Sequence, residues 1–135
     1  MPNRTYIDSN ILIAAFLGKG DVSIRAFQII DDDDRQLVVS DAVRLETLPK
    51  AYYEGNQPEI DFYEMVINSA EKLPWDVDVL FHAQGLAERY GIAAMDAIHV
   101  SFAISAKVDE FVTGEKSTKP MFRVRDIPIQ SISPT

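Results

Sequence analysis

Four carboxylates from distant parts of the chain carry most of the chemistry this sequence offers: Asp8, Glu46, Asp96 and Glu115. Asp8 closes a short run suited to a buried strand, Thr5-Tyr6-Ile7-Asp8, and a small polar step at Ser9-Asn10 leads into an apolar, helix-like segment. Glu46 falls about one and a half turns into a helix that follows a second strand. Asp96 stands near the start of an apolar helix, and Glu115 follows the strand ending at Thr113. In a parallel sheet, ligands gather at the carboxyl ends of the strands, so these four acids are candidates for one mouth of such a sheet. Carboxylates brought so close repel one another, which implies a cation or raised pKa values. Oxygen ligands suit a hard divalent ion such as Mg²⁺ or Mn²⁺. Two such ions roughly 3.5–4 Å apart would clamp a phosphodiester for in-line attack by water, with no protein nucleophile required.

Each acid also has a plainer reading. Asp96 lies among Ala93, Ala94, Met95, Ala97 and Ile98, where a carboxylate is costly unless paired or metal-bound, but a helix N-cap would satisfy it equally. Glu46, between Leu45 and Thr47 and near Arg44, fits half of a surface ion pair as well as it fits a site. Glu115 stands beside Lys116. The run Asp31-Asp32-Asp33-Asp34 reads as a solvated turn, because consecutive residues do not converge on one point.

Composition narrows the class. The 135 residues fit one domain, with 47% apolar and 25% charged residues. With no cysteine and only His82 and His99, thiolate metal sites are excluded and a zinc site would need mostly carboxylates. A net charge of −8 argues against holding nucleic acid by a broad basic surface, although an ion can bridge acids to phosphate. No apolar run approaches the ~18 residues of a membrane span, and Met1-Pro2-Asn3-Arg4 lacks the apolar segment of a signal peptide. The expected compartment is the cytoplasm.

The elements that must position the acids alternate. Strands are expected at 5–8, 37–40, 110–113 and, at an edge because of Pro128, 127–130. Helices are expected at 10–17 with Ser9 as cap, 22–31, 42–48 with a kink or break at Pro49, 58–70, 76–90 ending at Gly91, and 95–107. Leu73-Pro74-Trp75 reads as a short extended piece. Strands alternating with helices indicate an α/β fold with a mainly parallel sheet.

With these residues collected, the chain resembles the PIN-domain family, metal-dependent nucleases of which the VapC toxins of bacterial toxin–antitoxin pairs are the best known. Tyr6-Ile7-Asp8-Ser9-Asn10-Ile11-Leu12 is similar to the family's opening acid followed by Ser/Thr-Asn. Val39-Ser40 and Glu46 continue the match. Ala87-Glu88-Arg89-Tyr90-Gly91-Ile92 leads into Met95-Asp96-Ala97-Ile98-His99 and Ala103, and Phe111-Val112-Thr113-Gly114-Glu115 resembles the last motif. That motif usually reads Thr-x-Asp, so the glutamate is a departure, one methylene longer.

The resemblance implies a single three-layer α/β/α PIN-like domain over residues 1–135 and a Mg²⁺- or Mn²⁺-dependent ribonuclease. Asp8, Glu46 and Asp96 would be metal ligands, with Glu115 as the fourth acid. Ser9 and Asn10 would hold Asp8 or a neighbouring loop from behind, and His99, on the Asp96 face of its helix, reads as a structural histidine beneath the site in preference to a ligand or proton donor. Lys116, Lys119, Arg123 and Arg125 give the C-terminal loop a basic character that suits RNA phosphates and fits a plain solvated loop equally well. As a toxin, the chain would bind an antitoxin over the helices near the site, and homodimerisation is usual in the family. Two rivals stand beside this: a catalytically weak PIN-like module that binds nucleic acid or protein, and a haloacid-dehalogenase-type phosphatase. The second needs an acid where Asn10 stands.

Overall fold

The computed structural model describes residues 2–134. Five strands form one sheet in which every pairing is parallel: β1 (Asn3–Ile7), β2 (Arg35–Ser40), β3 (Glu71–Leu73), β4 (Glu110–Thr113) and β5 (Ile129–Ser131). Their order is β3-β2-β1-β4-β5. Six helices flank the sheet: α1 (Ser9–Leu17), α2 (Asp21–Ile30), α3 (Asp41–Tyr53), α4 (Gln57–Ser69), α5 (Val77–Tyr90) and α6 (Ala94–Ser105). Helices α1 to α4 pack with one another, while α5 and α6 pair with each other and with the 3-10 turn Pro120–Arg123.

The order explains where a site can form. From β1 the chain moves through α1 and α2 to β2 on one side, and later returns through α5 and α6 to β4 on the other. The strand order therefore reverses beside β1, and a crevice opens at the carboxyl ends of β1 and β4. Register brings Ile7 opposite Val112, and the Asp8 amide donates to the Val112 carbonyl at 3.0 Å. Strand β1 is inner, and Tyr6 and Ile7 are fully buried in the core with Val38, Phe111 and Val112. The Tyr6 and Phe111 rings stack at 5.3 Å between centroids.

Charges at the two ends of the sheet are handled differently. At the amino ends, acids are matched by arginines: Arg4 pairs with Glu71 at 2.6 Å, and Arg35 with Asp32 at 2.9 Å and Glu110 at 3.5 Å. Asp32 also accepts from the Asp34 amide, which closes the aspartate run as a turn. At the carboxyl ends, no such arginines pair with Asp8 or Glu46 among the described residues.

Several local expectations shift. Helix α3 does not end at Leu48 but runs through Pro49 to Tyr53. The carbonyl that Pro49 leaves without a donor belongs to Leu45, an exposed residue, so water can satisfy it. Ser9 is not the cap of α1: Asp8 holds that position, and the Ser9 hydroxyl turns to carboxylates instead. Strand β5 begins after Pro128, which fits a residue without an N–H at a sheet edge. Ser40 caps α3, its hydroxyl accepting from the Ala42 amide at 3.2 Å.

Two glycines of α5, the helix against which α6 packs, should respond with opposite signs. Gly85 lies inside α5 with open space around its Cβ position, so Gly85→Ala should stabilise by about 0.5–1 kcal/mol. Gly91 ends α5 at φ 69°, so Gly91→Ala should cost about 1 kcal/mol. Urea denaturation of the two variants checks both; equal signs would contradict the assigned helix end.

Candidate metal centre

The site is assembled from five elements. Asp8 follows β1, Ser9 and Asn10 open α1, Glu46 sits in the second turn of α3, Asp96 and His99 lie on α6, and Thr113 ends β4. Asp8 is nearly buried at 4% exposure. Its Oδ2 accepts from the Thr113 hydroxyl at 2.9 Å, and its Oδ1 accepts a longer bond from Ser9 at 3.3 Å. The Ser9 hydroxyl also reaches Glu46 Oε1 at 2.8 Å, so one small side chain spans both carboxylates.

Asn10 secures the loop after β4. Its side-chain oxygen accepts from the Gly114 amide at 2.7 Å, and its amide nitrogen donates to Thr113 at 3.4 Å. A Cβ at Gly114 would lie 3.2 Å from the Asn10 side chain, so the close approach favours glycine there. Thr113 accepts in turn from the Glu115 amide at 3.0 Å.

The structure brings Asp8, Glu46 and His99 together, with one ligand-capable atom of each lying within 4.8 Å of the others. His99 is buried; its Nε2 is 2.5 Å from Glu46 Oε1 and 3.6 Å from Asp8 Oδ1. Asp96, in the first turn of α6, faces the same charges. Burial, followed by the charges of Asp8 and Glu115, raises its pKa to about 6 against the weaker pull of His99 and Lys119. Asp96 is not the helix cap, a position held by Ala93, so the capping explanation for this carboxylate is excluded. Glu46 has no lysine or arginine within pairing distance among the described residues, and its pKa is lowered mainly by its hydrogen bond to His99. For His99, burial alone would lower the pKa. The hydrogen bond to Glu46 and the charges of Asp8, Glu46 and Asp96 outweigh it and raise the pKa above the ordinary value.

Glu115 is half-buried beside the cluster, and its carboxylate lies 3.9 Å from the Lys119 ammonium. Lys116 and Lys119 are exposed on the same loop. Arg123 donates instead to the Tyr90 carbonyl at 2.9 Å, which ties the 3-10 turn to the end of α5. His82 is exposed on α5, with Nδ1 3.1 Å from the Ser101 hydroxyl. Tyr6, Ser40 and Thr113 also bond within the site, and none of them stands out by residue type. The period-2 alternation of a strand places Tyr6 on the same face as Asp8, which is the one signal that marks it.

The donor set fits a hard divalent cation. The carboxylates of Asp8 and Glu46 converge beside the His99 imidazole, burial and then the charges of Asp8 and Glu115 raise the pKa of a third carboxylate, Asp96, and no guanidinium pairs with Asp8 or Glu46 among the described residues. Without a cation, the raised pKa of Asp96 makes stability fall as pH rises from its ordinary value near 4 through about 6, because the folded state holds that proton more tightly than the unfolded chain. Asp96→Asn should therefore stabilise chelator-treated protein above pH 6, by about 1–2 kcal/mol after allowing for partial exposure, and not at pH 4. Saturating Mn²⁺ should erase the advantage by stabilising only the parent. Thermal denaturation against pH checks this; an advantage independent of pH would contradict it.

Comparison with known proteins agrees with this architecture. A family model described as PIN domain matches residues 5–119. No protein of curated function matches significantly. Among solved structures, the chain is similar to VapBC2 from Rickettsia felis bound to a DNA fragment of its promoter, at 18% identity and TM-score 0.69, with 95% of this chain and 98% of that one covered. A toxin–antitoxin complex from Klebsiella pneumoniae gives 20% identity and TM-score 0.72 over 91% and 94%. DNA-bound VapBC from Salmonella typhimurium gives 16% and 0.69 over 98% and 99%. At these identities the structural likeness speaks to the fold, and the family model, covering most of the chain and all four candidate acids, assigns the family. The chain belongs to the PIN domain family.

Proposed function

We propose that this protein is a Mg²⁺- or Mn²⁺-dependent endoribonuclease that acts as the toxin of a toxin–antitoxin pair. The observation that carries the reading is the acid-rich cluster at the switch point of the sheet, Asp8 and Glu46 around His99 with Asp96 in the field of Asp8; Asp8, Glu46 and Asp96 would hold the ion and Glu115 would support it. When bound, a divalent ion supplies charge neutralisation at the scissile phosphate and a lowered pKa for the attacking water. The protein's own groups do the positioning. Thr113 and Ser9 fix the two oxygens of Asp8, Ser9 ties Asp8 to Glu46, and Asn10 holds the loop that carries Glu115. Exposed Lys116 and Lys119 beside Glu115 would meet RNA phosphates, the local exception to an acidic surface. Arg123, engaged with Tyr90, would contribute to that face mainly by shaping the loop.

The partner reading rests on relatives and surface together. The similar structures include toxin–antitoxin assemblies. In this chain, Leu45 beside Glu46, Tyr52 and Trp75 are exposed around a cleft of about 550 Å³ on α3. An antitoxin that covers apolar side chains there would also cover the acids, and a second copy of the chain would use another exposed helical face. Among the described residues no helix is long and apolar enough to cross a membrane, and a cytoplasmic location goes with the nuclease reading.

One observation favours a second reading. Glu115 stands where the family's last acid is usually Asp, and it lies near Lys119, which fits a catalytically weak module that binds nucleic acid or protein. Cleavage of a mixed RNA pool with Mn²⁺ separates the two. The nuclease reading expects cleavage that chelation abolishes and that Asp96→Asn lowers by about 100-fold or more. Cleavage undiminished in the variant, or surviving chelation, would sink the mechanism. A folded, Mn²⁺-loaded protein that cuts nothing would support the binding module.

A further inference from the structure

Beneath the acids runs a column of buried side chains to which the proposed mechanism assigns no part. Tyr6, wholly buried on β1, sits between two elements of the site: its hydroxyl oxygen is 2.7 Å from Ser40 Oγ and 2.8 Å from His99 Nδ1. On the far side of the imidazole, Nε2 is 2.5 Å from Glu46 Oε1. Ser40 caps α3, the helix that carries Glu46, so the column leaves α3 at its first turn and rejoins it at the carboxylate.

The donors and acceptors allow one direction for the protons when the ring is neutral. A carboxylate only accepts, so His99 must donate from Nε2 to Glu46. Nδ1 is then bare and must accept, which makes Tyr6 the donor to it. The Tyr6 oxygen accepts from Ser40, whose own oxygen is already taken by the Ala42 amide while its proton remains to give. Every polar atom of the column is satisfied in this arrangement, as the burial of Tyr6, Ser40 and His99 requires.

We propose that Tyr6 is a positioning residue for the cation site: by donating to Nδ1 it holds His99 as an Nε2–H donor, and His99 thereby sets the orientation of the Glu46 carboxylate. The need is local. Glu46 sits on an exposed stretch of α3 with about a third of its side chain accessible, and apart from Ser9 the imidazole is the group that restrains it. Tyr6 is itself rigid, fixed by its stacking on Phe111. The inference rests on the reading of Glu46 as a ligand of the divalent ion.

Two measurements on the full chain test it. Nitrogen–proton correlation spectra of the imidazoles, with His99 assigned by its loss in His99→Gln, should show neutral His99 carrying its proton on Nε2; a proton on Nδ1 would overturn the proposal. Mn²⁺ binding followed by electron paramagnetic resonance should weaken about 10-fold in Tyr6→Phe, the lower end of what loss of such an outer partner costs. Affinity within about twofold of the parent would overturn it. Should Tyr6→Phe not fold, a proton on Nδ1 of neutral His99 in the unaltered chain would still overturn the proposal. Mn²⁺ binding that depends on Tyr6 without RNA cleavage would support the proposal and count against the nuclease reading alone.

Discussion

Repulsion among carboxylates at the carboxyl ends of β1 and β4 is the constraint on which the rest of this structure depends. Asp8 is nearly buried, Asp96 is pushed up to about 6, and the pairing arginines of the sheet lie at its other end. A fold can tolerate such a cluster in three ways: by supplying hydroxyl and amide donors, by keeping one acid protonated, or by admitting a cation. The first two are visible here. Thr113, Ser9 and His99 donate to Asp8 and Glu46, and Asp96 retains a proton into the weakly acidic range. Hydrogen bonding leaves the carboxylate charge in place and His99 can balance one charge at most, so a divalent ion is the species that would complete the neutralisation.

Topology makes this possible at modest cost. Because the strand order reverses beside β1, a gap opens at the ends of β1 and β4, and residues from the first two turns of α1, α3 and α6 can face one another across it. The central strand then does two things with alternate residues. Ile7 packs in the core, while Tyr6 and Asp8 share a face and carry the lower and upper parts of the site. Rigidity below the acids comes from close-packed rings: Tyr6 lies against Phe111 on one side and touches His99 through its hydroxyl on the other.

Much of this was legible in the sequence, for identifiable reasons. Short β-branched and apolar runs ending in Asp8, Ser40 and Thr113 marked the strands, and Gly91 marked the end of α5 through its freedom to take a positive φ. An α/β fold with a parallel sheet followed from that alternation, and the PIN resemblance from the ordered set of acids. What was not legible depends on contacts between distant residues. Ser9 looks like a cap until Glu46 is known to lie 2.8 Å from it, and Pro49 looks like a break until Leu45 is known to be exposed. The column from Ser40 through Tyr6 to His99 joins residues 34 and 93 positions apart, and no local pattern encodes it.

The central claim is that a divalent cation occupies the space among Asp8, Glu46 and Asp96. Anomalous diffraction from crystals of the protein soaked in Mn²⁺ tests it most directly. The account predicts a manganese peak within coordinating distance of carboxylate oxygens of all three residues, and no such peak in crystals of Asp8→Asn. Manganese bound elsewhere, or an empty cluster with all three carboxylates unchanged at saturating Mn²⁺, would contradict it.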